Sequence, residues 1–154
     1  MKKIDFNFNV VATVSNVRVE IEDDYWESIQ SEITLEKDVS SKVFTNIDKF
    51  SHLEILFFFH KTDEIDIIDS CHPRGDPKYP EMGIFAQRKK ERINRLGLSV
   101  VELLEVQGRT LKVKYLDAID GTPVIDIKPV FNEFLPKGEV KQPLWVKDLT
   151  KYYW

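Results

Sequence analysis

The sequence predicts an all-β protein, a small antiparallel or mixed β-barrel with one short helix. Three observations lead there: short apolar runs that alternate at period two, a single stretch with convincing helical spacing, and no βαβ alternation of the kind a doubly wound sheet requires. The chain has 154 residues, of which 42% are hydrophobic and 12% aromatic, enough to bury one core. Residues 1–136 are read as the barrel domain and residues 137–154 as an aromatic tail that packs on the barrel or on a dimer partner.

In chain order, Phe6, Phe8, Val10, Ala12 and Val14 fall on even positions, the mark of a strand with one buried face. The phase then switches to Val17, Val19 and Ile21, which predicts a bulge or sharp bend that turns the chain between residues 14 and 17. Ile29, Ile33 and Leu35 form a further alternating run, and Val39, Val43, Ile47 and Phe50 share one face of a short helix. Residues 53–60, LEILFFFH, are almost continuously apolar, as a central strand covered on both faces would be. The stretch SCHPRGDPKYPEMG, residues 70–83, holds three prolines and two glycines and is expected to be a long functional loop without regular structure. Residues 83–88 predict a short strand, residues 99–106 and 110–115 a hairpin joined through Gln107 and Gly108, and residues 124–130 another strand.

Composition excludes several classes. No window approaches eighteen uncharged apolar residues, and the first ten residues, MKKIDFNFNV, lack a signal-peptide run, so a cytoplasmic protein is expected, without a membrane partner. The single cysteine, Cys71, excludes an intramolecular disulfide, and His52, His60 and His72 make no zinc spacing, so no metal is expected. GxGxxG, Walker and repeat patterns are absent. A net charge of −4 argues against a wholly basic nucleic-acid binder, but residues 88–95 read RKKERINR, with Arg88, Lys89, Lys90, Arg92 and Arg95 against Glu91 alone. Such a cluster is either a solvated loop or a phosphate-contacting one.

Three segments are more specific than any of these patterns: FSHLEILFFFH at 50–60; HPRG at 72–75 with GIFAQRKKERINRLGLSVVELLEV at 83–106; and YLDAIDGTPVIDIKP at 115–129. Together they resemble the TsaA or TrmO-type family of all-β methyltransferases, in order and spacing, over residues 5–130. The resemblance implies a TsaA-like barrel that works as a homodimer, with S-adenosyl-L-methionine bound beside the interface. It also implies methylation of N6 of N6-threonylcarbamoyladenosine next to the tRNA anticodon. Cofactor contacts implied by the family's motifs fall on His60 and Lys61, Arg88, Leu98, the run Lys114, Tyr115, Leu116 and Asp117, and a less securely aligned run Asp24, Tyr25 and Trp26.

In that setting Asp117 would accept hydrogen bonds from the cofactor's ribose or amine, Arg88 would pair with its carboxylate, and Tyr25 or Trp26 would stack on adenine or the sulfonium. Arg74, Lys89, Lys90, Arg92 and Asn94 are the candidate tRNA contacts. A ureido-type nitrogen acceptor would benefit from a base, for which His60, His72 and Asp120 are the candidates. The alternative is that His60 only bonds to cofactor or backbone, His72 anchors its loop and Asp120 caps the Asp-Gly turn. Gly75, Gly97 and Gly121 mark positions of positive φ or close approach, and Asp126 and Lys128 share a strand face where they can pair. The loop departs from the family's R-S-P-x-R-P-N-P-I-G by losing its three prolines, which frees it and changes its shape, and Val130 replaces a family tyrosine. Two other functions remain open: methylation of a small metabolite in the same pocket, and a non-catalytic RNA-binding or cofactor-sensing module.

Overall fold

Residues 7–62 and 68–154 are described by the structure, a computed structural model; Phe6, the first residue of the expected amino-terminal run, lies outside them. The strands are β1 (Ala12–Ser15), β2 (Gln30–Leu35), β3 (His52–Phe58), β4 (Ser70–Cys71), β5 (Met82–Gly83), β6 (Leu96–Gln107), β7 (Thr110–Lys114) and β8 (Pro123–Pro129), and the α-helix is α1 (Leu144–Leu149). Six of the strands close into an antiparallel barrel in the order β1-β2-β7-β6-β3-β8, with β8 paired back to β1. Closure leaves no unpaired edge along this sheet.

Period two decides which side chains fill the barrel. Leu53, Ile55 and Phe57 of β3, Val101 of β6, Leu111 and Val113 of β7, Val124 of β8, Ala12 and Val14 of β1 and Ile33 and Leu35 of β2 all point inward and are buried. Each large one contributes about 1.5–3 kcal/mol through its removal from water. Gly97 on β6 pairs with Phe57 on β3, and a Cβ there would run into the Phe57 ring, so a glycine is needed for the ring to lie across the neighbouring strand. Register shifts on β8 after Val124 and on β6 after Leu103 bend the two long strands around the barrel.

Several sequence expectations are corrected. The first strand is Ala12–Ser15, and Phe8 and Val10 ahead of it are exposed. Val17, Val19 and Ile21 do not continue a strand: they lie on a loop leading to β2, with exposures of 84%, 51% and 42%. The helix read over residues 39–50 is two 3₁₀ turns, Ser41–Phe44 and Ile47–Lys49, because Asn46 between them takes a left-handed conformation (φ 63°) that no α-helix accommodates. The α-helix lies instead in the tail, at Leu144–Leu149. Residues 70–83 are not wholly irregular, since β4 and β5 pair at the base of the loop, and residues 84–86 form a 3₁₀ turn rather than a strand. β3 alternates between buried and half-buried residues instead of being covered on both faces. The hairpin turn falls on Gly108 and Arg109, one residue later than expected, with φ +58° at Gly108.

The ends of β3, β6 and β7 and the loops at residues 16–29, 59–62, 72–91 and 115–122 meet at one end of the barrel, and the segment from residue 141 lies across them.

Candidate functional site

The cleft between that barrel end and the carboxy-terminal segment has a volume of about 1520 Å³. At its floor is Asp117. The chain leaves β7 at Lys114 and turns sharply at Tyr115, whose φ of 65° is rare for a tyrosine, so that Leu116 and Ala118 drop into the core while Asp117 faces the cleft. Gly121 (φ +77°) completes the turn into β8, where an added Cβ would stand 3.8 Å from His60 Nε2.

Asp117 is held from both sides. The Ser99 hydroxyl donates to Oδ1, and the Tyr153 hydroxyl donates to Oδ2 at 2.5 Å. Burial and the neighbouring Asp117 carboxylate push the Tyr153 phenol well above its ordinary value, so it remains a donor across the physiological range. Nearby, the Arg88 guanidinium donates to the Leu98 carbonyl at 2.5 Å. Trp26 is buried with Arg18 over its ring at 4.3 Å, and Arg18 also donates to the Asp24 and Tyr25 carbonyls at 2.6 and 3.3 Å.

Of the expected residues, Trp26, His60, Lys61, Arg74, Arg88, Lys89, Lys90, Tyr115 and Asp117 line the cleft. The others do not. Asp24 makes a two-pronged pair with Arg74 at 2.8 and 2.6 Å, and Tyr25 is exposed. Leu98 projects from the outer face of β6, Lys114 lies over the Tyr115 ring at 4.7 Å, and the Leu116 side chain is sealed in the core. His72 Nδ1 bonds to the Tyr79 carbonyl at 2.7 Å, so it carries the proton there and ties the loop. Asp120 accepts the Asn16 amide at 3.1 Å, outside the cleft, so it ties its turn to the chain after β1 rather than capping the Asp-Gly turn itself. Arg92 donates to the Gln87 carbonyl at 2.7 Å, and Asn94 is exposed.

Two cations of the basic loop share the one acid within it. Lys89 and Lys90 sit 3.7 and 3.3 Å from Glu91, and Lys89 also donates to Cys71 Sγ at 3.3 Å. Burial opposes ionisation of Glu91, but its own backbone amide and the Lys90 and Lys89 ammonium groups more than offset this and hold the carboxyl below its ordinary value. Glu91 Oε2 is buried with no hydrogen-bond donor, and the Lys89 ammonium at 3.7 Å is its ion-pair partner.

Ser99, Asn16 and Arg18 were not singled out in the sequence, and Tyr153 was read only as part of the aromatic tail. Ser99 had a signal, as a polar residue on the buried phase of a strand between Gly97 and Val101. Asn16, which bonds to Ser31 Oγ and the Ala118 carbonyl at 2.9 Å each, had none, because its partners are remote in sequence.

Among the described residues, no helix is long and apolar enough to cross a membrane, and no group of three or more His, Cys, Asp or Glu is placed to hold a metal.

Residues 16–134 match a family model described as the tRNA-methyltransferase O N-terminal domain. A tRNA (adenine(37)-N6)-methyltransferase of Escherichia coli is 45% identical over 96 residues, which cover 58% of this chain and 41% of the relative. An S-adenosyl-L-methionine-binding protein of Archaeoglobus fulgidus is 42% identical over 84 residues, 53% of this chain and 56% of the relative. A crystal structure of TrmO from Pseudomonas aeruginosa shares the fold, with a TM-score of 0.72 at 21% identity over 90% of this chain and 61% of that one. The chain thus spans less than two thirds of the length of each of these proteins.

Proposed function

The chain belongs to the tRNA-methyltransferase O N-terminal domain family, and from that premise we propose that it is an S-adenosylmethionine-dependent methyltransferase acting on N6 of an adenosine beside the tRNA anticodon. N6-threonylcarbamoyladenosine is the acceptor to test first. The observation that carries this reading is the cleft itself, where a carboxylate, a guanidinium and an aromatic wall meet in a volume of about 1520 Å³, above the roughly 300–1,000 Å³ of an ordinary small-ligand site. It has room for a cofactor and part of an acceptor.

The donor set fits the cofactor. Asp117 is an acceptor for ribose hydroxyls or an ammonium, Arg88 and Lys61 are cations for a carboxylate, and Trp26, Phe59 and Trp154 offer ring surface to adenine or a sulfonium. When bound, S-adenosylmethionine supplies an activated methyl carbon. The chain's own task is to hold the acceptor nitrogen in line with that carbon and to exclude water. Loss of the nitrogen's proton calls for a base, and the cleft supports His60 in that role over His72 and Asp120, which lie outside it.

Arg74, Lys89 and Lys90 at the cleft rim are the proposed tRNA contacts, with Arg92 and Asn94 behind them. A homodimer is proposed through the strand β6, along which Leu98, Val100 and Leu104 are exposed. A cytoplasmic location follows from the tRNA substrate. A second reading, methylation of a small metabolite in the same cleft, is favoured by Lys89 and Lys90 being turned onto Glu91 rather than outward.

One assay separates them: transfer of labelled methyl from S-adenosylmethionine to tRNA with and without the threonylcarbamoyl group. Label in the modified tRNA alone is expected. Label in neither tRNA, with cofactor bound, would overturn the tRNA reading, and tRNA binding that weakens steeply with salt would support it.

A further inference from the structure

Nine residues beyond the segment matched to the family line the cleft, from Lys141 to Trp154, among them Trp145, Val146, Leu149, Thr150, Tyr153 and Trp154. They are fastened there at three places. The Tyr25 and Trp26 amides donate to the Tyr152 and Tyr153 carbonyls at 2.8 Å each. The Tyr79 hydroxyl donates to Asp148 at 2.6 Å, Lys78 lies 3.4 Å from the same carboxylate, and the Tyr79 and Trp145 rings meet at 6.0 Å. The Trp154 ring stands edge-on to Tyr115 at 5.5 Å, and the Tyr153 hydroxyl reaches Asp117. Two of the docking residues, Tyr25 and Tyr115, hold left-handed backbone conformations (φ 64° and 65°) that a tyrosine adopts only when its surroundings impose them.

We propose that segment 143–154 is a built-in wall of the cofactor site and that Tyr153 is a positioning residue, which fixes the Asp117 carboxylate so that its remaining acceptor sites face the cofactor's hydroxyl or amine donors. The proposal rests on the reading of the cleft as an S-adenosylmethionine site. An ionised carboxylate has roughly four acceptor sites, and the Ser99 and Tyr153 hydroxyls use one on each oxygen, which leaves about two for a ligand. With a hydroxyl bonded to each oxygen, the carboxylate is held against rotation. The segment bounds the cleft rather than filling it, since about 1520 Å³ remains with the segment in place.

The test is calorimetric titration of S-adenosylmethionine, S-adenosylhomocysteine and adenosine into the full chain, its Tyr153→Phe, Asp117→Asn and double variants, and Asp148→Ala. Tyr153→Phe keeps the ring and removes the charge-assisted hydrogen bond, so a roughly tenfold weaker affinity is expected. In the Asp117→Asn background the same change is expected to do little, because Tyr153 acts through Asp117. Asp148→Ala releases the exposed anchor on Tyr79 and Lys78, which does not bond to Asp117, and is expected to weaken binding several-fold if the segment is a wall. Equal or tighter binding by Tyr153→Phe, additive effects of Tyr153→Phe and Asp117→Asn, or unchanged binding by Asp148→Ala would each overturn the proposal while wild type still binds. If wild type binds none of the three compounds, the cofactor-site reading fails and this inference fails with it.

Discussion

Replacing Gly97 with alanine is expected to destabilise the barrel and to loosen ligand binding, for a reason that lies in one contact. A Cβ at residue 97 would stand 2.9 Å from Cδ2 of Phe57 and closer still to Cε2 and Cζ, inside the 3.4 Å at which ordinary contact begins. Phe57 is 1% exposed and is wedged edge-on against Phe59 at 5.3 Å, so its ring has little room to withdraw. Overpacking of this kind costs about 1–3 kcal/mol. For a chain of this length each kcal/mol lowers the melting temperature by about 2–4 °C, so scanning calorimetry is expected to record a fall of roughly 2–12 °C. Because Phe57 also lines the cleft, cofactor affinity is expected to fall in the same variant. Adding Phe57→Leu should recover part of the loss in stability, since the two residues are in contact. A Gly97→Ala variant that melts with wild type would refute the close approach.

Other outcomes follow from the same geometry. Asp24→Ala and Arg74→Ala are each expected to lose about 0.5–1 kcal/mol, with the double variant no worse than either single one, because the pair is partly exposed (22% and 30%) and each residue's main partner is the other; additive losses in chemical denaturation would contradict the pairing. Asp120→Ala should lower stability by about 1 kcal/mol through the lost Asn16 bond while leaving kcat unchanged, whereas His60→Ala should lower kcat. Tyr153 is raised above its ordinary 10.0, so the neutral phenol contributes stability that is fully present below that pH and is lost as pH climbs beyond it. Thermal melts above pH 10.0 should therefore fall more steeply for wild type than for Tyr153→Phe, and parallel curves would show that the phenol is not so held.

Where apolar residues alternated along a strand that pairs on both sides, as in β6, β7 and β8, the elements were legible in the sequence, and β3 was legible as an apolar run though its alternation was not. Val17, Val19 and Ile21 show the limit of that signal: three alternating apolar residues are compatible with a loop, because much of any folded surface is apolar. The helical spacing of residues 39–50 was equally real, yet Asn46 breaks it, and spacing carries no information about one left-handed residue. At the site, the motifs brought Arg88, Asp117 and His60 to one cleft. They did not show that Asp24 and Arg74 would be used on each other, or that Leu98 would face outward, since these follow from loop paths. Tyr153 was visible only as part of an aromatic tail, and its bond to Asp117 spans 36 residues. Asn16 and Asp120 meet across 104.

The central claim, that the barrel-end cleft is a cofactor site organised around Asp117, is tested most directly by titrating S-adenosylmethionine into wild type and Arg88→Ala and Asp117→Ala variants under one buffer condition. Saturable binding by wild type and a loss of affinity in both variants is the predicted result. Wild-type affinity in both variants, or no binding by the unaltered chain, would contradict it.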